Sequence, residues 1–424
     1  MLANLIIVES RQFRPNPRDF AFIWTGYFLT TFGGIITNFI INWRISFEPG
    51  SPVIMSDISF TYLISSIIGL LFLGVFIDVL NRRNLLISLY IVNIILTMIM
   101  IPILTAGSIH FTSLKIIIFL SSMIQALIFP TFFAIIPTMI SQRNIGRVNG
   151  FNYLILSVSQ IFGSYVASLI LSSLNVAISL CIDIILIILS LIPLFFVKVP
   201  SVKEFELNFK GTLINRYANG FKSYLKFPNI TFIIMTLLIF TFLNHSFDTF
   251  FPYFIIFYHS SQLINYTILS LILSIGIIIG GIACSVVKYW NPPILLFFIS
   301  IVVLFSMNFL IVISPFQDYS MMAKGLFSKG FFQILALTIF SSILQINIPK
   351  TNLGYVFALF LTFSNLIIFG VNFIYPLLLI IIDVRTLLLI SGGFGALIVV
   401  FLYFILKLQK LKSEDYIIVE SPKD

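Results

Sequence analysis

This sequence predicts an all-α membrane protein of twelve transmembrane helices in two six-helix bundles, and three observations carry the prediction. Hydrophobic residues make up 59% of the 424, and charged residues only 9%. A soluble chain holds about 45–50% and about 25% respectively. The apolar residues come in runs of about twenty, the length that crosses the hydrocarbon core of a bilayer. Lys and Arg concentrate in alternate loops between those runs, as they do where loops remain on the cytoplasmic side.

The runs fall at 20–43, 58–80, 85–106, 112–136, 149–173 and 176–197, then at 229–256, 265–288, 293–314, 321–345, 354–381 and 386–407. The expected organisation is an N-terminal bundle over 1–197, a cytoplasmic linker over 198–228, and a C-terminal bundle with its tail over 229–424. An even number of spans puts both termini on one side. That side collects 19 of the 24 Lys and Arg residues, among them Arg11, Arg14, Arg82, Arg83, Arg143, Arg147 and the linker lysines. The opposite face and the spans hold Arg44, Lys115, Lys324, Lys329 and Arg385. The termini and linker are therefore expected in the cytoplasm, with the chain a multi-pass protein of the cell membrane. The net charge of +9 is explained by this orientation, so the expected partner is the lipid bilayer and not nucleic acid. Cys181 and Cys284 both lie in apolar runs and offer neither a disulfide framework nor a metal spacing.

The two halves echo each other. Gly69, Gly74 and Asp78 recur as Gly276, Gly281 and Ser285, each displaced by 207 positions, and Gly146-Arg147-Val148 recurs as Gly354-Tyr355-Val356, displaced by 208. Such a repeat is how many transporters enclose a path between two bundles. Gly276 and Gly280 also form a G-x-x-x-G pattern, which lets helices approach closely.

Gly74-Val75-Phe76-Ile77-Asp78-Val79-Leu80-Asn81-Arg82-Arg83-Asn84-Leu85 follows the second run. It resembles the signature of the major facilitator superfamily, Gly-x-Leu-Ala-Asp-basic-x-Gly-basic-basic-x-aliphatic. The matches are Gly74, Asp78, Arg82, Arg83 and Leu85, while Val79 loses a basic position and Asn81 replaces the second glycine. Asn81 is expected to take the left-handed turn that the glycine would take. Asp78, at a helix end, has a helix N-terminus or the arginines to bond. Gly74, Asp78, Arg82 and Arg83 are thus the expected conformational latch.

Several further stretches resemble the macrolide-efflux-like exporters of that superfamily. They are Arg18-Asp19-Phe20 through Trp24, Gly26 and Gly33; Pro130, Pro137 and Asn149-Gly150; Asn219 to Pro228; and Gln345, Pro349, Gly354 and Val356. The resemblance implies a secondary active transporter, with proton-coupled export of a small amphipathic molecule by alternating access. The alternative is a facilitator-type importer or uniporter of a metabolite. Gly163-Ser164-Tyr165 lacks the span-five proline common in drug antiporters, which keeps the alternative open.

Carboxylates are few inside the runs. All six Glu lie outside them, and only Asp183 and Asp248 sit well away from an end. An ionisable side chain at mid-membrane costs about 2.5–3.5 kcal/mol on insertion scales, so it usually has a partner or a task. Asn244 and His245 share a helix face with Asp248, and Lys329 with Gln333 forms a similar pair on span ten. In the facilitator fold both spans line the cavity, which makes Lys329 the expected counter-ion of Asp248. The coupling candidates are Asp248, Asp183, His245 and Lys329. The cavity candidates are Asn38, Asn42, Gln125, Gln160, Asn244, Gln333, Asn365 and Asn372, because an amide in lipid lacks partners.

Enzymatic readings find no support. There is no H-E-x-x-H, the three histidines are His110, His245 and His259, and no Gly-rich Lys-Ser/Thr phosphate loop occurs. No cofactor and no metal are expected. The expected partners are a small-molecule substrate and protons, and the expected state is a monomer.

Overall fold

Backbone amides in lipid must bond within their own segment, and long apolar helices meet that demand. The computed structural model describes residues 17–48, 51–107, 109–197, 228–259, 263–287 and 292–410, with Val199 and Trp290. Among them twelve helices are long and apolar enough to cross a membrane. They are Asp19–Ser46, Ile54–Val79, Arg82–Thr105, Phe111–Met139, Gln142–Ser173 and Val176–Phe196, then Ile230–Ile256, Ile268–Val286, Pro293–Val312, Tyr319–Asn347, Leu353–Leu378 and Val384–Leu408. We number these spans one to twelve. The basic linker residues, with Arg11, Arg14, Lys412 and Lys423, which help set the expected orientation, lie outside the described residues.

Short polar side chains decide where several helices begin. The Asn175 side chain accepts a hydrogen bond from the Ile178 amide at 2.9 Å, separating spans five and six, which almost abut in sequence. Asp318 accepts from the Met321 amide at 3.0 Å and starts span ten. Asn81 does the same for span three, accepting from the amides of Arg83 at 3.0 Å and Asn84 at 3.4 Å. This corrects one expectation. Asn81 is extended, with φ −62° and ψ 115°, and takes no left-handed turn, because its side chain caps the helix that follows. Two spans contain a π-helical turn, Gly69–Leu73 in span two and Phe254–Tyr258 at the end of span seven.

By contacts the chain divides into two units. The first comprises Met1–Gln142, Phe162–Lys210 and Pro349–Tyr355; the second comprises Arg143–Ile161, Gly211–Ile348 and Val356–Asp424. In the first, span one packs on six, three on four and six, and two on four. Its core gathers Ile36, Ile40, Leu96, Ile118 and Leu180. In the second, span seven packs on twelve, nine on ten and twelve, and eight on ten, which is the same set of pairs advanced by six. Phe247, Phe254, Met322, Leu326 and Leu388 fill its core. The repeated glycines mark equivalent crossings. A Cβ on Gly69 would meet the Met123 carbonyl of span four at 2.6 Å, and one on Gly276 would overlap the Phe327 carbonyl of span ten.

Candidate functional site

The loop after span two is tied down by its own charges. Arg82 is 5% exposed, and its guanidinium donates to the Asp78 carboxylate at 2.7 Å, to the Ala134 carbonyl at 2.7 Å and to the Lys350 carbonyl at 2.5 Å. Asp78 also accepts from the backbone amides of Gly354 at 3.1 Å and Tyr355 at 2.7 Å. Those amides open the helix of span eleven, where N–H groups have no partner within the helix and the dipole favours an anion. Arg83 turns the other way and donates to the Leu194 and Phe195 carbonyls at the end of span six. Gly74 is buried and right-handed, with φ −57°, and closes the π-helical turn.

The repeat partner of this contact lies in the second unit and is built with the opposite polarity. A Cβ on Gly150 would meet that of Cys284 at 2.6 Å. Arg147 donates to the Val286 carbonyl at 3.2 and 3.3 Å, so here a cation meets a helix C-terminal end. Ser285 stands where Asp78 stands in the first half, and no carboxylate is supplied.

Deeper in the second unit, Lys329 is 1% exposed and places its ammonium 2.9 Å from an oxygen of Asp248. The Phe247 ring covers the same ammonium, 3.8 Å from nitrogen to centroid. The Asp248 side chain is 50% exposed, so the pair is lopsided, with a buried cation and a half-exposed anion. Asn244 donates to the other Asp248 oxygen at 2.7 Å and accepts from Asn308 at 3.2 Å. His245 faces elsewhere; its Nε2 lies 3.2 Å from the Asn372 side-chain oxygen on span eleven. Gln333 and Asn365 are partly buried, whereas Asn372 is exposed.

The first unit holds the uncharged polar surface. Asn38 and Gln125 line two adjoining cavities of about 230 and 350 Å³. Tyr27, Thr31, Asn93 and Phe129 line one; Ser59, Tyr62 and Ser122 line the other. The rule that singles out amides in apolar runs applies equally to Asn93, which it missed, whereas Tyr62 sits among Ser59, Thr61, Ser65 and Ser66 with nothing local to mark it. Asn42 and Gln160 are exposed and line neither cavity, and the Asn42 amide returns to the Asn38 carbonyl. Asp183 is 1% exposed. Thr37 donates to one of its oxygens at 2.6 Å, and the other is buried without a partner, against Gly33.

The sequence profile of the Major Facilitator Superfamily matches residues 23–372. The chain belongs to that superfamily. No curated protein matches it significantly. The fold of this facilitator is similar to that of the human organic anion transporter TETRAN, with a TM-score of 0.72 at 10% identity over 91% of this chain and 99% of that one. A bacterial homologue of the iron transporter ferroportin, in an outward-facing state, gives 0.71 at 13% over 92% and 99%. The E. coli fucose:proton symporter gives 0.66 at 14% over 91% and 98%. Identities this low show a shared fold. As a facilitator of twelve membrane-capable helices, the chain is a multi-pass membrane transporter of small molecules.

Proposed function

We propose that this facilitator is a proton-coupled exporter of a small amphipathic molecule, working by alternating access between bundles 1–197 and 229–424. The observation that carries the reading is the Asp248–Lys329 pair. Lys329 is buried and Asp248 half-exposed, so only the carboxylate end is accessible. Protonating Asp248 cancels the charge that holds Lys329, and a buried ammonium without its anion is costly. Proton binding is thereby converted into a mechanical difference between two states, the requirement for any coupled transporter. Asp183 is the second coupling candidate, since it is buried with one oxygen unpaired. Asp78, Arg82 and the span-eleven amides serve as the latch that holds one state.

The proton-coupled fucose symporter supports coupling on this fold, and the resemblance to macrolide-efflux-like exporters supports the outward direction. The test is accumulation of labelled amphipathic compounds in cells with and without the protein, before and after the proton gradient is collapsed. Expressing cells should hold less compound, and collapse of the gradient should erase the difference. Accumulation that rises with expression would favour an importer, and indifference to the gradient would refute coupling.

A further inference from the structure

The cavities lined by Asn38 and Gln125 can say what kind of molecule the first unit accepts. Their hydroxyl groups are largely committed to their own helices. Thr31 donates to the Tyr27 carbonyl, Ser59 to Met55 and Ser122 to Ile118, as helical Ser and Thr commonly do. The amides differ. Gln125 Nε2 reaches Asn93 Oδ1 at a long 3.4 Å, and Gln125 Oε1 faces Gly34, 3.9 Å from where a Cβ would stand. Among the described residues neither end of the Asn38 amide nor Gln125 Oε1 has a hydrogen-bond partner. Polar groups left open in an otherwise apolar bundle are costly unless water or a ligand satisfies them. The wall beside them is aromatic, with the Tyr27 and Phe129 rings 6.3 Å apart and tilted by 25°.

The lining also excludes. No side chain ionised at neutral pH borders either cavity among the described residues. An ion placed there would find no counter-charge in the lining, while a neutral ligand with a donor and an acceptor needs none. Ligand pockets usually measure about 300–1,000 Å³, so one cavity sits at the small end of that range and the other below it.

We propose that the Asn38–Gln125 site binds an uncharged, single-ring molecule bearing one polar group that both donates and accepts hydrogen bonds, and that it discriminates against ions of either sign. Calling that molecule the substrate rests on the transport reading above; the binding claim does not.

Benzamide, benzoate and benzamidinium share a ring and nearly a shape while differing in charge, which makes them the probes. Binding of each to the purified full chain in detergent is read as a concentration-dependent rise in thermal unfolding midpoint. Benzamide should bind at least tenfold more tightly than either ion. Asn38→Leu should weaken benzamide at least tenfold without lowering the unliganded midpoint, because that amide ties no helices together. Gln125→Glu should shift the preference to benzamidinium. The inference is overturned if benzamide produces no shift, if either ion binds wild type as well as benzamide does, if Asn38→Leu binds benzamide normally, or if Gln125→Glu keeps the wild-type order. Flux in proteoliposomes is measured separately. Benzamide binding with no gradient-dependent flux of any compound would refute the transport reading alone. Gradient-driven flux of an ion with no benzamide binding would refute the binding claim alone.

Discussion

Replacing Asp248 by Asn should cost far more stability than replacing the lysine that faces it, although the two form one ion pair. Lys329 is 1% exposed, and the Asp248 side chain is 50% exposed. Removing the carboxylate strands an ammonium in the bundle. Breaking a buried pair in this way typically costs about 3–5 kcal/mol. The face of Phe247 stays 3.8 Å away and keeps part of the stabilisation, so the lower end of that range, about 3 kcal/mol, is expected. Lys329→Met removes the buried charge and nearly preserves volume. Asp248 then remains half-exposed and bonded to Asn244, for a cost of about 1 kcal/mol. The double variant strands nothing and should resemble Lys329→Met alone. The cycle would therefore show a coupling of about 3 kcal/mol. Detergent-driven unfolding in mixed micelles, followed by circular dichroism, gives the four stabilities. Equal losses in the two single variants, with an additive double, would refute the argument from unequal burial. The same Asp248→Asn protein in liposomes with an imposed pH gradient should lose gradient-driven flux and keep downhill exchange. Unchanged gradient-driven flux would remove Asp248 from the coupling mechanism.

At the proposed latch, Asp78→Asn keeps size but puts an amide donor among three donors, so transport should fall at least tenfold with little loss of folded protein; full transport would deprive the contact of any mechanistic role. Gly276→Ala should destabilise by about 1–3 kcal/mol, because its Cβ overlaps the Phe327 backbone, whereas Gly370→Ala meets nothing within 4 Å and should be neutral or stabilise by up to about 1 kcal/mol; unfolding midpoints compare them. Ser201→Cys, in the linker outside the described residues, should resist a membrane-impermeant thiol reagent in intact cells and react after permeabilisation; labelling of intact cells would invert the orientation. Outside the spans, Asp383 is held below the ordinary carboxylate range by hydrogen bonds from Thr386 first and Tyr258 second. A depressed folded-state value gives stability that is present above about pH 4 and is lost as pH falls further, so the unfolding midpoints of wild type and Asp383→Asn should converge in acid.

The spans were legible because lipid imposes a coarse demand that composition alone reveals. The ends of the helices at Asn175 and Asp318 follow from short polar side chains before apolar runs. At Asn81 the glycine in the family signature suggests a left-handed turn, but an Asn before a helix competes by capping, and the cap won. Asp248 and Lys329 stood out as rare charges in apolar runs. The partners of Asp78 at Gly354 and Tyr355 lie 276 and 277 positions away, and no local pattern specifies them. The π-helical turns at Gly69–Leu73 and Phe254–Tyr258 were likewise hidden, since a single widened turn barely alters an apolar run. Amides such as Asn38 and Asn42 looked equivalent, and only packing separates the one that lines a cavity from the one turned away.

Gly33 and Asp183 fill one space between them. A methyl at position 33 would overlap the carboxyl oxygen of Asp183, which is buried without a hydrogen-bond partner. A side chain at 33 therefore requires Asp183 to move, and a change at 183 takes away the acceptor of Thr37. A lineage that gains Ala at 33 has to turn or shorten 183, and where 183 is shortened the Thr37 hydroxyl loses its acceptor and becomes free to drift to Val or Ala. The three positions form a single inherited unit. In a deep collection of related sequences they should switch together, and chains with Gly at 33 should be the ones that keep the acid.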